Sequence, residues 1–355
     1  MSRLRWGMLS TASIGRVVAN AIRQSTHANL VAVASRDRSR AERFADELGL
    51  AASFGSYDEL LASAEVDAVY VALPVSMHSE WTVKALEAGK HVLCEKPFAT
   101  NPLDAARCFD AATAAGKQCV EGLMYRHHPQ TTLASHLLAD GAIGRLATVR
   151  AALSVSVPPD DIRRSVPLGG GALLDLGCYC VSAIRLFAGE PERVHAEAVC
   201  DGKDGVDLRL AATMGMPGDV LGQFDIGLDL PRRDELELIG TRGKLTIPDP
   251  WLCRAGFVEL ERDGRTERLP VDPSNAYRLA DPEHDTYRIE LDVVSSAITT
   301  GTSPTFGRID AVAQAIALEA LRRTSIQHSP VLLGAASSTR EADKRKLTVT
   351  EKVSQ

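Results

Sequence analysis

Through the first 120 or so positions of the 355-residue chain, short apolar runs alternate with stretches of helical spacing. Residues 4–9 (LRWGML) read as a strand, and 14–25 (IGRVVANAIRQS) place Val17, Val18, Ala21 and Ile22 on one helical face. Strand 29–35 (NLVAVAS) leads to helix 39–50, with Gly49 as its cap. Strand 66–73 (VDAVYVAL), helix 78–89, strand 90–94 (KHVLC), helix 101–116 and strand 117–123 (KQCVEGL) follow. These strands are continuously apolar rather than alternating, so they are expected to be buried on both faces of a parallel sheet covered by helices. The pattern predicts an α/β, doubly wound, Rossmann-type dinucleotide-binding domain over residues 1–123.

After residue 123 the periodicity changes. A helix is expected at 128–144, an alternating strand at 146–157, and one amphipathic helix over 169–189 behind a glycine run. Stretches 193–201, 206–214, 219–229, 234–239, 243–247 and 256–270 read as successive antiparallel strands with turns at MPGD and RDGR, and helices return at 284–300 and 308–326. This predicts an α+β domain over 124–335 with a large, open-faced, mostly antiparallel sheet that binds substrate. The open face is expected to pair copies of the chain into a homodimer or homotetramer. Residues 336–355 read as a polar tail.

Composition narrows the classes. The chain is 45% hydrophobic and 24% charged, as in a soluble globular protein, and a net charge of −6 argues against a nucleic-acid surface. No apolar run is expected to reach the roughly 18–20 residues that span a bilayer, and the N-terminus carries no leader pattern, so a cytoplasmic location without membrane partners is expected. Seven scattered cysteines without CxxC, and nine histidines without HExxH, suggest neither a disulfide framework nor a metal site.

The first β–α turn keeps only the last position of a G-x-G-x-x-G register, as Ser10, Ala12 and Gly15. Small residues still let a pyrophosphate approach the turn Ser10–Thr11–Ala12–Ser13–Ile14, where hydroxyls add donors. The second strand ends in Ser35 and Arg36 instead of the usual acid. A hydroxyl and a guanidinium suit a 2′-phosphate, which predicts NADP(H) over NAD(H). Asp37 lies one residue late for the ribose acid.

Two stretches carry a family resemblance: AGKHVLCEKP (88–97) and GGGALLDLGCYCV (169–181). With LPVSMH (73–78), MYRHHPQ (124–130) and IGRL (143–146), the chain resembles the Gfo/Idh/MocA oxidoreductases over nearly its whole length. It looks most like the group holding dimeric dihydrodiol dehydrogenase, NADP-dependent xylose dehydrogenases and deoxysugar ketoreductases. The resemblance implies that Lys96, joined to Pro97 by a cis bond, faces the nicotinamide ribose and the reacting hydroxyl. It further implies that Leu73, Pro74, His78 and Glu95 lie on the cofactor side, and that Asp175 and Tyr179 stand where relatives carry their acid/base motif. Val75 replaces an asparagine common in relatives.

On this reading Tyr179 is the acid/base, Lys96 lowers its pKa and stabilises a developing alkoxide, and Asp175 orients sugar hydroxyls. Arg126, His127 and Arg163 are further candidates for lining the substrate end. The expected reaction is oxidation of an aldose such as xylose or glucose at the anomeric carbon. Alternatives are reduction of a keto-deoxysugar, oxidation of a trans-dihydrodiol, or, from another class, a non-catalytic regulator or an NAD-using glycosidase.

Overall fold

The computed structural model describes residues 3–202 and 205–333. Two sheets organise the chain, a six-stranded one and a nine-stranded one. The first is built from β1 (Leu4–Leu9), β2 (Ala28–Ala34), β3 (Ala52–Phe54), β4 (Ala68–Val71), β5 (His91–Glu95) and β6 (Cys119–Gly122). All neighbours are parallel, in the order β3-β2-β1-β4-β5-β6. Helices α1 (Ile14–Gln24), α2 (Arg38–Leu48), α3 (Tyr57–Leu61), α4 (His78–Glu87) and α5 (Pro102–Ala115) connect the strands. Trp6, Met8, Val69, Tyr70 and Leu93 are fully buried between the helical layers, as continuous apolar runs require.

Strand β3 and helix α3 were not anticipated. Three half-buried residues make too short a run to register as a periodic pattern, and the Ser56 cap on the Glu59 amide starts a helix of five residues. Asp37 is also spent locally: its carboxylate accepts from the Arg40 amide and caps α2. It therefore does not turn back toward the strand end.

The second sheet contains β7 (Leu146–Ser156), β8 (Arg193–Cys200), β9 (Asp207–Met216), β10 (Val220–Gly227), β11 (Asp229–Gly240), β12 (Gly243–Thr246), β13 (Phe257–Arg262), β14 (Arg265–Pro270) and β15 (Val331–Leu332). Their order is β14-β13-β12-β11-β7-β10-β9-β8-β15. Every pair is antiparallel except β7–β10, so the sheet is mixed but largely antiparallel. Helices α6 (Pro129–Ala139), α7 (Cys178–Ala188), α8 (Asp285–Thr300) and α9 (Arg308–Gln327) complete the chain. Val149, Met214, Phe224 and Leu238 face the covered side, while Arg150, Gln223 and Glu237 alternate onto an open face. The predicted polar tail lies outside the described residues.

Two expectations change. The segment Val166–Ala188 is long and apolar enough to cross a membrane by composition, yet it is mostly buried inside the protein. Its apolarity serves α7, which packs against β7 and β10 from below. Nor is 169–189 one regular helix. The glycines form a loop, a π-turn over Leu173–Gly177 follows, and regular α-helix begins only at Cys178.

The glycine run is dictated by close approach rather than by hinge motion. A Cβ on Gly169 (φ +77°) would lie 3.0 Å from Val75 Cβ, one on Gly170 2.5 Å from the Arg163 carbonyl oxygen, and one on Gly171 (φ +125°) 2.2 Å from Asp207 Oδ1. The loop thereby docks the second sheet's segment onto the turn after β4.

Candidate active site

Strand order reverses between β1 and β4, both of which leave the first sheet at the same edge of the molecule. Such a switch point is where doubly wound sheets hold ligands. Two cavities open there, of about 400 and about 640 Å³. Ala12, Ser13, Leu73, Pro74 and Ile162 line both, so they form one groove.

The larger cavity is walled by Ser10, Thr11, Ser35, Arg36, Arg40 and Tyr57. Ser10 holds φ +120°, the conformation of the fingerprint's first glycine without the glycine, and its Oγ accepts from the Ala12 amide at 3.0 Å. Gly15 is required by packing: a Cβ would come within 2.6 Å of Met8 Sδ. Helix α1 can therefore sit tight on the sheet with its N-terminus toward the groove, an arrangement suited to a pyrophosphate. Arg40 and Tyr57 were missed from sequence. Arg40 stands four residues beyond Arg36, and that spacing was the available signal.

The smaller cavity holds the reacting-group candidates. Strand β5 delivers Glu95 and Lys96 at its carboxyl end, and the Lys96–Pro97 bond is cis. Lys96 Nζ donates to Asp175 Oδ1 at 2.7 Å and to the Asp175 carbonyl at 2.9 Å. The same carbonyl, in the π-turn, also accepts from Cys178 Sγ at 3.3 Å. Burial works against the ammonium, but Asp175, Cys178 and Glu95 together hold the Lys96 pKa above its usual value. Asp175 Oδ2 also faces Arg163 Nη1 at 3.9 Å, and Arg163 is itself paired with Asp161. Asp175 is thus a clamp between two cations.

Tyr179 lines the same cavity, with Lys96 Nζ 5.1 Å from its ring centroid. The ammonium lies over the ring rather than beside the hydroxyl. That hydroxyl touches Met124 Sδ at 3.5 Å, and the ring packs against Tyr125 and Trp251. Burial pushes the phenol well above its ordinary pKa, with nearby Tyr287, Glu95 and Asp175 adding to it. The expected lowering by Lys96 is therefore corrected: burial governs and holds the phenol protonated.

Glu95 accepts from the Tyr70 hydroxyl through Oε1 and from the Lys96 amide through Oε2 at 3.3 Å. Burial raises its pKa, and Lys96 offsets this in part. His78 is buried, with Nδ1 2.9 Å from the Pro97 carbonyl and Nε2 2.8 Å from the Leu73 carbonyl. It ties together the two loops that frame the cavity. Burial lowers its pKa, while the two carbonyls pull the other way.

Arg126 and His127 do not line the groove. The Arg126 guanidinium turns into the core, bonded to Ser182 Oγ at 2.7 Å and paired with Asp310. His127 packs edge-on against Phe306, 5.5 Å between ring centroids, and burial lowers its pKa to about 4. Both follow β6 in sequence, but the short helical turn at Met124–His127 points them away. Conversely, Tyr287 of α8 enters the cavity unannounced by any motif. Among the described residues no group of His, Cys, Asp or Glu is placed to hold a metal, and the seven cysteines are free.

A parallel switch-point groove, small residues at its phosphate turn, and a lysine–tyrosine pair at one end define a nicotinamide-dependent oxidoreductase. Residues 4–123 match the oxidoreductase family with NAD-binding Rossmann fold, and residues 131–246 match the GFO/IDH/MocA C-terminal domain. The chain belongs to the Gfo/Idh/MocA oxidoreductase family. It is 35% identical to D-xylose 1-dehydrogenase (NADP(+)) 2 of Haloferax volcanii, over 90% of this chain and 96% of that one. It is 39% identical to dTDP-3,4-didehydro-2,6-dideoxy-α-D-glucose 3-reductase of Streptomyces violaceoruber, over 75% and 80%. Among solved structures, a 3-ketoreductase from Actinomadura kijaniata in complex with NADP and TDP-benzene superposes with a TM-score of 0.83 at 31% identity, covering 91% of this chain and 98% of that one.

Proposed function

We propose that the chain is an NADP(H)-dependent oxidoreductase of sugars or cyclic polyols whose reaction is the reduction of a keto-deoxysugar. Residues 1–123 carry the dinucleotide and 124–335 the substrate. The observation that carries this reading is the meeting of Tyr179 with the Asp175-held Lys96 ammonium in one cavity, Lys96 Nζ lying 5.1 Å from the phenol ring centroid. The similarity to 3-ketoreductases, one of them solved with NADP, supports it.

The groove fits the cofactor. A glycine whose Cβ would strike Met8, small residues at 10–13, and the pair Arg36 and Arg40 beside Ser35 suit a pyrophosphate and a 2′-phosphate. Bound there, the dinucleotide supplies hydride to a carbonyl carbon, or accepts it from a carbinol. The protein's part is the proton and the charge. As the carbonyl oxygen gains negative charge, the Tyr179 O–H bond breaks and its proton passes to that oxygen. The Lys96 ammonium stabilises the charge in transit, and Asp175 with Arg163 keeps Lys96 aimed. Run as an oxidation, the same pair works in reverse, the phenolate taking the carbinol proton. Reduction is ranked above the aldose oxidation expected from sequence on the similarity to several 3-reductases and to a solved 3-ketoreductase.

Oxidation of an aldose at C1 is the second reading, favoured by the xylose dehydrogenase relative, which spans more of the chain. Both readings share one chemical feature. An aldose has oxygens on C1 and C2, and a 3,4-didehydro sugar has them on C3 and C4, so the reacting carbon has an oxygenated neighbour. A second copy is proposed to dock on the open face of the nine-stranded sheet, where Leu221 and Val199 are exposed.

The test is a two-way assay: NADPH oxidation with nucleotide-linked keto-deoxysugars, and NADP⁺ reduction with pentoses and hexoses, each repeated with NAD(H). Faster turnover of the keto sugars with NADPH is expected. Turnover confined to aldoses with NADP⁺ would leave the second reading standing, and inactivity in both arms would remove both.

A further inference from the structure

The cavity contains a second phenol that no motif announces. Tyr287 is 8% exposed and lines the cavity with Lys96, Asp175 and Tyr179. Other buried tyrosines show how this fold treats a hydroxyl it uses only for structure. Tyr70 donates to Glu95, and Tyr125 shares a 2.5 Å bond with Ser182 Oγ. Tyr287 makes no hydrogen bond to any described residue, and Tyr179 reaches only the Met124 sulfur. Buried hydroxyls are satisfied in the great majority of cases, because leaving the bond unmade forfeits the hydration that burial removed. Tyr179 and Tyr287 line the same cavity, whose ligand can supply partners for both hydroxyls.

The backbone around Tyr287 is fixed on both sides. The Asp285 carboxylate accepts from the Asp281 amide and from Arg288, and Thr286 Oγ1 donates to the Leu252 carbonyl. Arg288 also donates to the Tyr277 carbonyl at 2.9 Å. Three of its neighbours are thus anchored while the phenol itself is left free, which is how a preorganised contact is built.

We propose that Tyr179 and Tyr287 bind adjacent oxygens of one substrate: Tyr179 serves the oxygen on the reacting carbon, and Tyr287 holds the oxygen on the carbon next to it. This rests on the reading of the cleft as an oxidoreductase site and adds a rule of selectivity. Substrates with vicinal oxygens are preferred over those with one. Tyr287 is a substrate-binding residue in this scheme and moves no proton. A site that hydrogen-bonds an oxygen rejects the analogue lacking it, because its own polar group is then stranded.

The test compares wild type, Tyr287→Phe and Tyr179→Phe on cyclohexane-1,2-dione against cyclohexanone with NADPH, and on trans-cyclohexane-1,2-diol against cyclohexanol with NADP⁺. Affinity for NADPH, read by fluorescence, and the melting temperature are measured in parallel. Wild type is expected to favour the vicinal member of each pair. Tyr287→Phe should lower kcat/KM for the vicinal compounds by about 10- to 100-fold while leaving the single-oxygen compounds within about twofold, so that the selectivity collapses. Tyr179→Phe should lower kcat for both members together. If Tyr287→Phe keeps the wild-type ratio, or lowers both members equally, the pairing is overturned while the oxidoreductase reading stands. A wild type inactive on all four compounds overturns the pairing, and the sugar assay above then decides the wider reading by itself.

Discussion

The two ends of the groove are built in different ways. At the dinucleotide end the wall comes from one stretch of chain and its neighbour: the turn 10–14 after β1, the end of β2, and the first turns of α2 and α3. Its chemistry is largely backbone amides, a helix terminus and two arginines at the surface. At the reaction end, four separate segments converge: Lys96 after β5, Arg163 from the loop after β7, Asp175 and Tyr179 from the π-turn and α7, and Tyr287 from α8. Here the two phenols are buried, and Lys96 is bonded to Asp175 across segments at 2.7 Å. The first end is local in sequence and tolerant of substitution, as Ser10 and Ala12 in glycine positions demonstrate. The second end is nonlocal: Asp175 takes up Lys96 from another segment, and burial by all of them keeps Tyr179 protonated.

If that contrast is right, changes at the reaction end should remove turnover without loosening the cofactor. Lys96→Met and Tyr179→Phe should each lower kcat by about 10²–10⁴-fold while NADPH affinity, read by fluorescence quenching, stays within about twofold. A parallel fall in NADPH affinity would place Lys96 at the other end of the groove instead. Arg36→Ala should do the reverse. It should raise the KM for NADPH by about 10- to 100-fold, leave that for NADH nearly unchanged, and leave kcat alone.

The junction between the two ends gives a third, smaller effect. Gly169→Ala adds a Cβ 3.0 Å from Val75 Cβ at φ +77°, whereas Gly141→Ala faces open space at φ +71°. Thermal denaturation should show a loss of about 2–3 kcal/mol for the first and about 1 kcal/mol for the second, whose strain is in the backbone alone. Equal losses would mean that the loop does not hold the ends together.

The smallest effect concerns Glu121, behind the cleft. Burial raises its pKa to about 7 from an ordinary 4.5, partly offset by Arg126. The folded state therefore keeps a proton that the unfolded chain releases, so this group's contribution is full below pH 4.5 and is lost as pH rises to about 7. Glu121→Gln should melt higher than wild type at pH 8, with the difference shrinking as pH falls toward 4.5. A constant difference across that range would show that Glu121 is ionised throughout.

Much of this was legible in the sequence because the physics is local. Continuous apolarity in 66–73 and 90–94 can be buried only on both faces, which fixes a parallel sheet, and alternation in 146–157 fixes a sheet with one face open. AGKHVLCEKP puts its lysine at a strand's carboxyl end by order alone, and Ser35–Arg36 announce their own chemistry. The short β3 was lost because three residues carry no period. Only the tertiary structure decided which side chains meet. Arg126 and His127 sit beside a strand end in sequence, yet a turn of backbone buries one against Asp310 and the other against Phe306. Tyr287 lies about 190 residues from Lys96 and shares a cavity with it because α8 packs back across the first domain. Protonation follows the same rule, since desolvation depends on what surrounds a group in space and not on what flanks it in the chain.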